Sequence, residues 1–144
     1  MNTSATPSIC VSRHLSATPA RAFDAWLDPA LASRWLFATP DGHIVRCDID
    51  ARPGGAFVIT DRRGGDDVEH VGSYVEVDRP HRLVFTFGVP KFSSDTTKVV
   101  LTFAEDARGC EVMLEHFDVP QEWRDQTEEG WRDLLARLEQ VLTD

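Results

Sequence analysis

Residues 130–142 read GWRDLLARLEQVL, and within them Trp131, Leu134, Leu135, Leu138, Val141 and Leu142 recur at steps of three and four. That period lays one apolar stripe along a helix, with Glu122, Arg124, Asp125, Glu128 and Asp133 available for its wet side. The helix is expected to start after Val119-Pro120. Gly130 inside it costs about 1 kcal/mol relative to alanine, which points to close packing or a bend. A stripe of this width needs an apolar surface to bury it, and the preceding residues supply one.

From about His43 to Phe117 the pattern is of strands cut by turn signals: Arg52-Pro53-Gly54-Gly55, Arg63-Gly64-Gly65-Asp66, Asp78-Arg79-Pro80-His81 and Asp106-Ala107-Arg108-Gly109. The strands expected between them are Ile44 to Ile49, Phe57 to Asp61, Val68 to Val77, Leu83 to Phe87, Thr97 to Phe103 and Glu111 to Phe117. Their short spacing implies antiparallel hairpins. Further upstream, Ile9, Val11 and Leu15 alternate as one face of a first strand, interrupted by Arg13. Thr18-Pro19 and Asp28-Pro29 each read as a capped helix start, the first followed by Ala22, Phe23 and Trp26, the second by Leu31, Trp35 and Leu36. The order is therefore a strand, two short helices, six antiparallel strands and a long amphipathic helix. It predicts an α+β fold, a seven-stranded sheet covered by the last helix.

The 144 residues, 42% of them hydrophobic, suffice for one core and leave no room for a second domain. Residues 1–8 are rich in Ser, Thr and Pro and are expected to fray, so the domain is expected to span residues 9–144. No apolar run approaches the roughly 20 residues that span a bilayer, and the first residues carry no export signal. Cys10, Cys47 and Cys110 are odd in number and far apart, which suits the reducing cytoplasm and suggests no disulfide framework. A net charge of -9 with scattered basic residues argues against nucleic acid as a partner. No phosphate loop, nucleophile elbow, HExxH helix or dinucleotide fingerprint is present, so no cofactor is implied.

Several segments taken in order resemble the Hsp90-ATPase-activator-homologue branch of the START-like, helix-grip superfamily. They are Pro19 to Trp26, the Arg52-Pro53-Gly54-Gly55 hairpin, Gly72 to Val77 leading through Pro80 to Arg82–Phe87, Leu114-Glu115-His116, and Gly130-Trp131 with the leucine stripe. The resemblance covers about Ile9 to Leu142. It implies a sheet curled around the long helix, with a space between them able to hold an apolar ligand. The family has no shared catalytic signature, so no functional residue is carried over. Its eukaryotic co-chaperones carry a further domain that is absent from these residues, which counts against Hsp90 activation.

The expected activity is binding of a small hydrophobic or amphipathic molecule in that cavity. Leu83, Phe85 and Phe87 share a strand face, as do Val99, Leu101 and Phe103, and Val112, Leu114 and His116. Trp35, Tyr74, Phe85, Phe87, His116 and Trp131 are the candidate ligand-binding residues; the rings supply contact area, and Tyr74 and His116 supply polar groups. Trp26 and Trp123 could line the same pocket, although such residues are more often simply core. Glu69 and His70 point to opposite strand faces and are expected at solvated or edge positions. His43 and Cys47 share a face by alternation but lack a third ligand for a metal, and Cys47 lacks an activating base. The Gly88–Asp95 loop is either a lid or an ordinary loop with Phe92 tucked in. Two alternatives stand beside ligand binding: interaction with an Hsp90-type chaperone, and a cyclase- or aromatase-like reaction using His116 and Tyr74 as acid and base.

Overall fold

The computed structural model describes residues 6–143. Strand β1 (Ile9–Leu15) is followed by helices α1 (Pro19–Leu27) and α2 (Pro29–Ala32), and then by the six strands β2 (His43–Ile49), β3 (Ala56–Arg63), β4 (Asp66–Asp78), β5 (Arg82–Phe87), β6 (Thr97–Asp106) and β7 (Gly109–Phe117). A 3-10 turn (Gln121–Trp123) leads into α3 (Arg124–Thr143). The strands form one antiparallel sheet in the order β1-β7-β6-β5-β4-β3-β2, so each neighbour in the chain is a neighbour in space except β1, which closes onto β7. This is the predicted α+β helix-grip arrangement.

The turn chemistry acts as the sequence suggests. The Thr18 hydroxyl accepts from the Arg21 amide at 3.2 Å with Pro19 in the first turn. Asp28 serves two helices: its amide donates to the Asp24 carbonyl at 2.8 Å, ending α1, and its side chain accepts from the Ala30 amide at 3.0 Å, starting α2. α2 is shorter than the periodicity predicts. It ends at Ala32, and Trp35 and Leu36 lie in the turns that follow, because Phe37 takes a left-handed backbone conformation (φ 63°) that no helix can continue through.

α3 buries Trp131, Leu135, Leu138 and Leu142 against the concave sheet face; each such side chain contributes about 1.5–3 kcal/mol by leaving water. Arg13, which breaks the apolar face of β1, spans to α3 and donates to Glu139 Oε1 at 2.6 and 2.9 Å. Gly130 is exposed on α3 and a Cβ there would meet no atom within 4 Å, so close packing does not explain it. Of the stretch expected to fray, residues 1–5 lie outside the described residues. Ser8 donates its amide to the His116 carbonyl at 2.9 Å and accepts the Val119 amide at 3.1 Å. Among the described residues no helix is long and apolar enough to cross a membrane.

Candidate functional site

Alternation along the strands turns Phe57, Ile59 and Asp61 of β3, His70, Gly72 and Tyr74 of β4, and Leu83, Phe85 and Phe87 of β5 toward α1 and α3. Rings from the helical side meet them. Trp26 sits 4.7 Å from Trp35, 6.2 Å from Trp131 and 6.4 Å from Phe85. Phe37 enters from the turn after α2 and lies parallel to the His70 imidazole at 4.6 Å, with Phe87 at 5.1 Å and Trp131 at 5.8 Å. Its left-handed backbone costs on the order of 1–3 kcal/mol, which the burial of the ring offsets.

The cavity implied by the family resemblance is nearly filled. The internal space bounded by Trp26, Phe37, Phe57, Tyr74 and Phe85 is about 10 Å³, the lower limit for one water molecule, whereas an apolar pocket that admits benzene measures about 150 Å³.

His116 is 1% exposed and engaged at both nitrogens. Trp131 Nε1–H donates to Nδ1 at 3.0 Å, which leaves the proton on Nε2. That nitrogen donates to Thr97 Oγ1 at 2.7 Å, and the Thr97 hydroxyl donates to the Phe87 carbonyl at 3.2 Å. Burial pushes the imidazole down to about 4, so it is neutral near pH 7. An acid–base role would first require one of these bonds to break. The chain of bonds instead pins Trp131 of α3 to β5, β6 and β7.

His70, expected at a solvated edge, is buried. It stands four residues before Tyr74 with Gly72 between them, so all three share the inward face. Its Nδ1–H donates to the Ile59 carbonyl at 3.2 Å and its Nε2 lies 3.5 Å from Arg63 Nη2. Burial pushes it down to about 4, with the nearby Arg63 charge a smaller cause in the same direction. Arg63 Nε also donates to Asp61 Oδ2 at 2.7 Å, and the Thr39 hydroxyl donates to the same oxygen at 2.8 Å. Asp61 is 0% exposed, yet its Oδ1 has no hydrogen-bond partner among the described residues. Trp26 Nε1 is buried without one too.

The six candidate residues separate into three places. His116, Trp131 and Phe87 meet within 6.3 Å of one another. Tyr74 and Phe85 pack on Phe57 at 5.6 Å each, and burial raises the Tyr74 phenol above its usual range. Trp35 lies behind Trp26, donating to the Ala25 carbonyl at 3.1 Å. Phe57, His70 and Asp61 were open to discovery from alternation, since Phe57 and Asp61 bound one predicted strand on a common face and His70 shares the row of Tyr74. Phe37 was not, because nothing in its neighbours signals a left-handed turn.

Other candidates lose their geometry. A bulge between Ile44 and Arg46 shifts the register of β2, so His43 and Cys47 occupy opposite faces. Burial pushes the Cys47 thiol up to about 11, away from a nucleophilic thiolate. Phe92 is 56% exposed rather than tucked in. Among the described residues no group of three or more His, Cys, Asp or Glu is arranged to hold a metal ion.

A protein from Chromobacterium violaceum has a similar solved structure (TM-score 0.86, 24% identity, covering 94% of this chain and 97% of that one). So has an AHSA1-like protein from Aeromonas hydrophila (TM-score 0.82, 25% identity, 94% and 91% covered). A Staphylococcus aureus protein of unknown function is similar at 16% identity (TM-score 0.80, 94% and 92% covered). No curated protein matches the chain. The family model for Activator of Hsp90 ATPase homolog 1-like protein matches residues 16–143. With nearly all of its strands and all three helices inside that match, the chain belongs to the Activator of Hsp90 ATPase homolog 1-like family.

Proposed function

We propose that this domain binds a small apolar or amphipathic molecule between the concave sheet face and α3, with Phe37 filling the ligand's place in the closed state. The position of Phe37 carries the reading: the ring that closes the interior comes from a turn with a strained backbone, not from the sheet or α3. The buried donor Trp26 Nε1 and acceptor Asp61 Oδ1, both without partners among the described residues, support it. Each such group costs about 1–3 kcal/mol when left unpaired, and a bound molecule would recover that. Phe87, His116 and Trp131 form one wall of this site, and Tyr74 and Phe85 another, while Trp35 backs Trp26.

Native mass spectrometry of protein purified without detergent tests the reading, followed by denaturing extraction. A retained, stoichiometric small molecule is the expected result. A chain that retains nothing, and whose Phe37→Gly variant takes up no naphthalene from saturated solution, refutes it.

The family description favours a second reading, a surface that engages an Hsp90-type chaperone. The exposed aromatics Phe92 and Trp123 offer contact area for one. An unchanged ATPase rate of a bacterial Hsp90 homologue at saturating concentrations of this protein removes it.

A further inference from the structure

The segment from Phe37 to Gly42 makes two contacts at once. Phe37 lays its ring on His70, and two residues later Thr39 donates its hydroxyl to Asp61 Oδ2. Gly42 then presses on the same carboxyl group: a Cβ at that position would lie 2.6 Å from Asp61 Oδ1 and 2.8 Å from Oδ2. One displacement of this segment therefore empties the slot over His70 and uncovers the buried Asp61 carboxyl.

The two surfaces are close enough for one small molecule. His70 pairs with Ile59, and Asp61 lies two positions further along β3, a diagonal relation that separates Cβ atoms by roughly 7 Å. Arg63 reaches both, through Nε to Asp61 and through Nη2 toward His70. Its charge is thus already matched to Asp61, and Asp61 Oδ1 is left as an acceptor with no donor among the described residues.

Resting on the interior binding site proposed above, we infer that the ligand is a flat aromatic molecule carrying a hydrogen-bond donor, an amine or hydroxyl, about two bonds from the ring. The ring takes the place of Phe37 between His70, Phe87 and Trp131, and the donor meets Asp61 Oδ1. The segment Phe37–Gly42 imitates this ligand with a ring and a hydroxyl. A carboxylate head is disfavoured, because it would set a second anion against Asp61 where solvent screening is weak.

The test uses three matched probes, 2-(2-naphthyl)ethylamine, 2-(2-naphthyl)ethanol and 2-naphthylacetic acid, titrated into the full-length Phe37→Gly variant. Glycine removes the ring and suits the left-handed backbone. Calorimetry gives affinities, and amide spectra report shifts around His70 and Asp61. The expected result is that the amine and the alcohol bind at least tenfold more tightly than the acid, and that adding Asp61→Asn abolishes the preference for the amine. Equal or tighter binding of the acid overturns the donor assignment and leaves the interior site standing. No binding of any probe to the folded variant overturns both. If the glycine variant does not fold, Phe37→Leu and the unmodified chain at millimolar probe are compared in the same way, with the same two refuting outcomes.

Discussion

Lowering the pH from 7 to 4 should remove a large share of the folding stability of this domain. His70 and His116 are both buried, and burial holds each at about 4 instead of the ordinary 6.5. Between those values the unfolded chain binds protons at these two positions and the folded chain does not, so stability falls as pH falls. It is fully present above about 6.5, declines down to about 4, and changes no further from these groups below that. At 1.36 kcal/mol per pKa unit, each histidine contributes about 3 kcal/mol, and the pair about 6 kcal/mol. A domain of this kind has roughly 5–15 kcal/mol in total. Near pH 5 both sites differ almost completely in occupancy between the two states, giving a slope of about 2 kcal/mol per pH unit. Urea titrations followed by tryptophan fluorescence at half-unit steps from pH 7 to pH 4.5 measure it directly. In His116→Gln the slope should fall by about half. A slope below about 0.7 kcal/mol per pH unit near pH 5 would mean that the histidines titrate in the folded state. The bond chains through Trp131 and Ile59 would then not be the ones that hold.

Three further substitutions probe the scaffold. Gly72→Ala should abolish soluble folding or cost several kcal/mol, measured by urea denaturation, because a Cβ there would collide with the Thr86 carbonyl and stand 2.6 Å from the Phe57 ring. Gly130→Ala should raise stability by up to about 1 kcal/mol, since the site is helical, exposed and sterically open; a loss in the melting temperature would contradict that. Arg13→Ala should cost no more than about 1 kcal/mol and should lose even that in high salt, because the Arg13 and Glu139 side chains are 40% and 33% exposed.

Legibility from the sequence follows how local each signal is. The seven strands and α3 were readable because alternation and the three-and-four step survive any tertiary context that buries one face. The inward rows of β5 and β7 were readable for the same reason, which is why Phe85, Phe87 and His116 lie where alternation puts them. His43 and Cys47 were misassigned because one extra residue at the β2 bulge reverses every side chain beyond it. His70 was misassigned because a titratable residue beside an exposed Glu69 reads as an edge position, whereas the alternation places it on the buried row of Val68 and Tyr74. Trp35 and Leu36 were given to a helix that Phe37 terminates, and only three-dimensional packing rewards that left-handed residue with a buried slot. The fold thus rests on repeated local signals, and the proposed site on a single turn that breaks them.

An interior of about 10 Å³ and a ligand site can coexist if the free energy of withdrawing Phe37 is small enough. Exposing a buried phenylalanine costs about 2–3 kcal/mol, and losing the Thr39 bond to a carboxylate costs about 1.5–3 kcal/mol. Relief of the left-handed backbone returns about 1 kcal/mol. The difference, about 2.5–5 kcal/mol, puts the open form at roughly one molecule in a hundred to one in several thousand, and the apparent affinity of any ligand falls by the same factor. A ligand of nanomolar intrinsic affinity would then act between about 0.1 and a few micromolar. Phe37→Gly removes the ring's share of that cost and leaves the Thr39 bond in place, so affinity should rise by about five- to thirtyfold while stability falls. Opening a hole in a packed core also admits an aromatic, so the unmodified chain separates the two: a plug predicts weak but saturable binding of the aromatic probes to it, and packing predicts none.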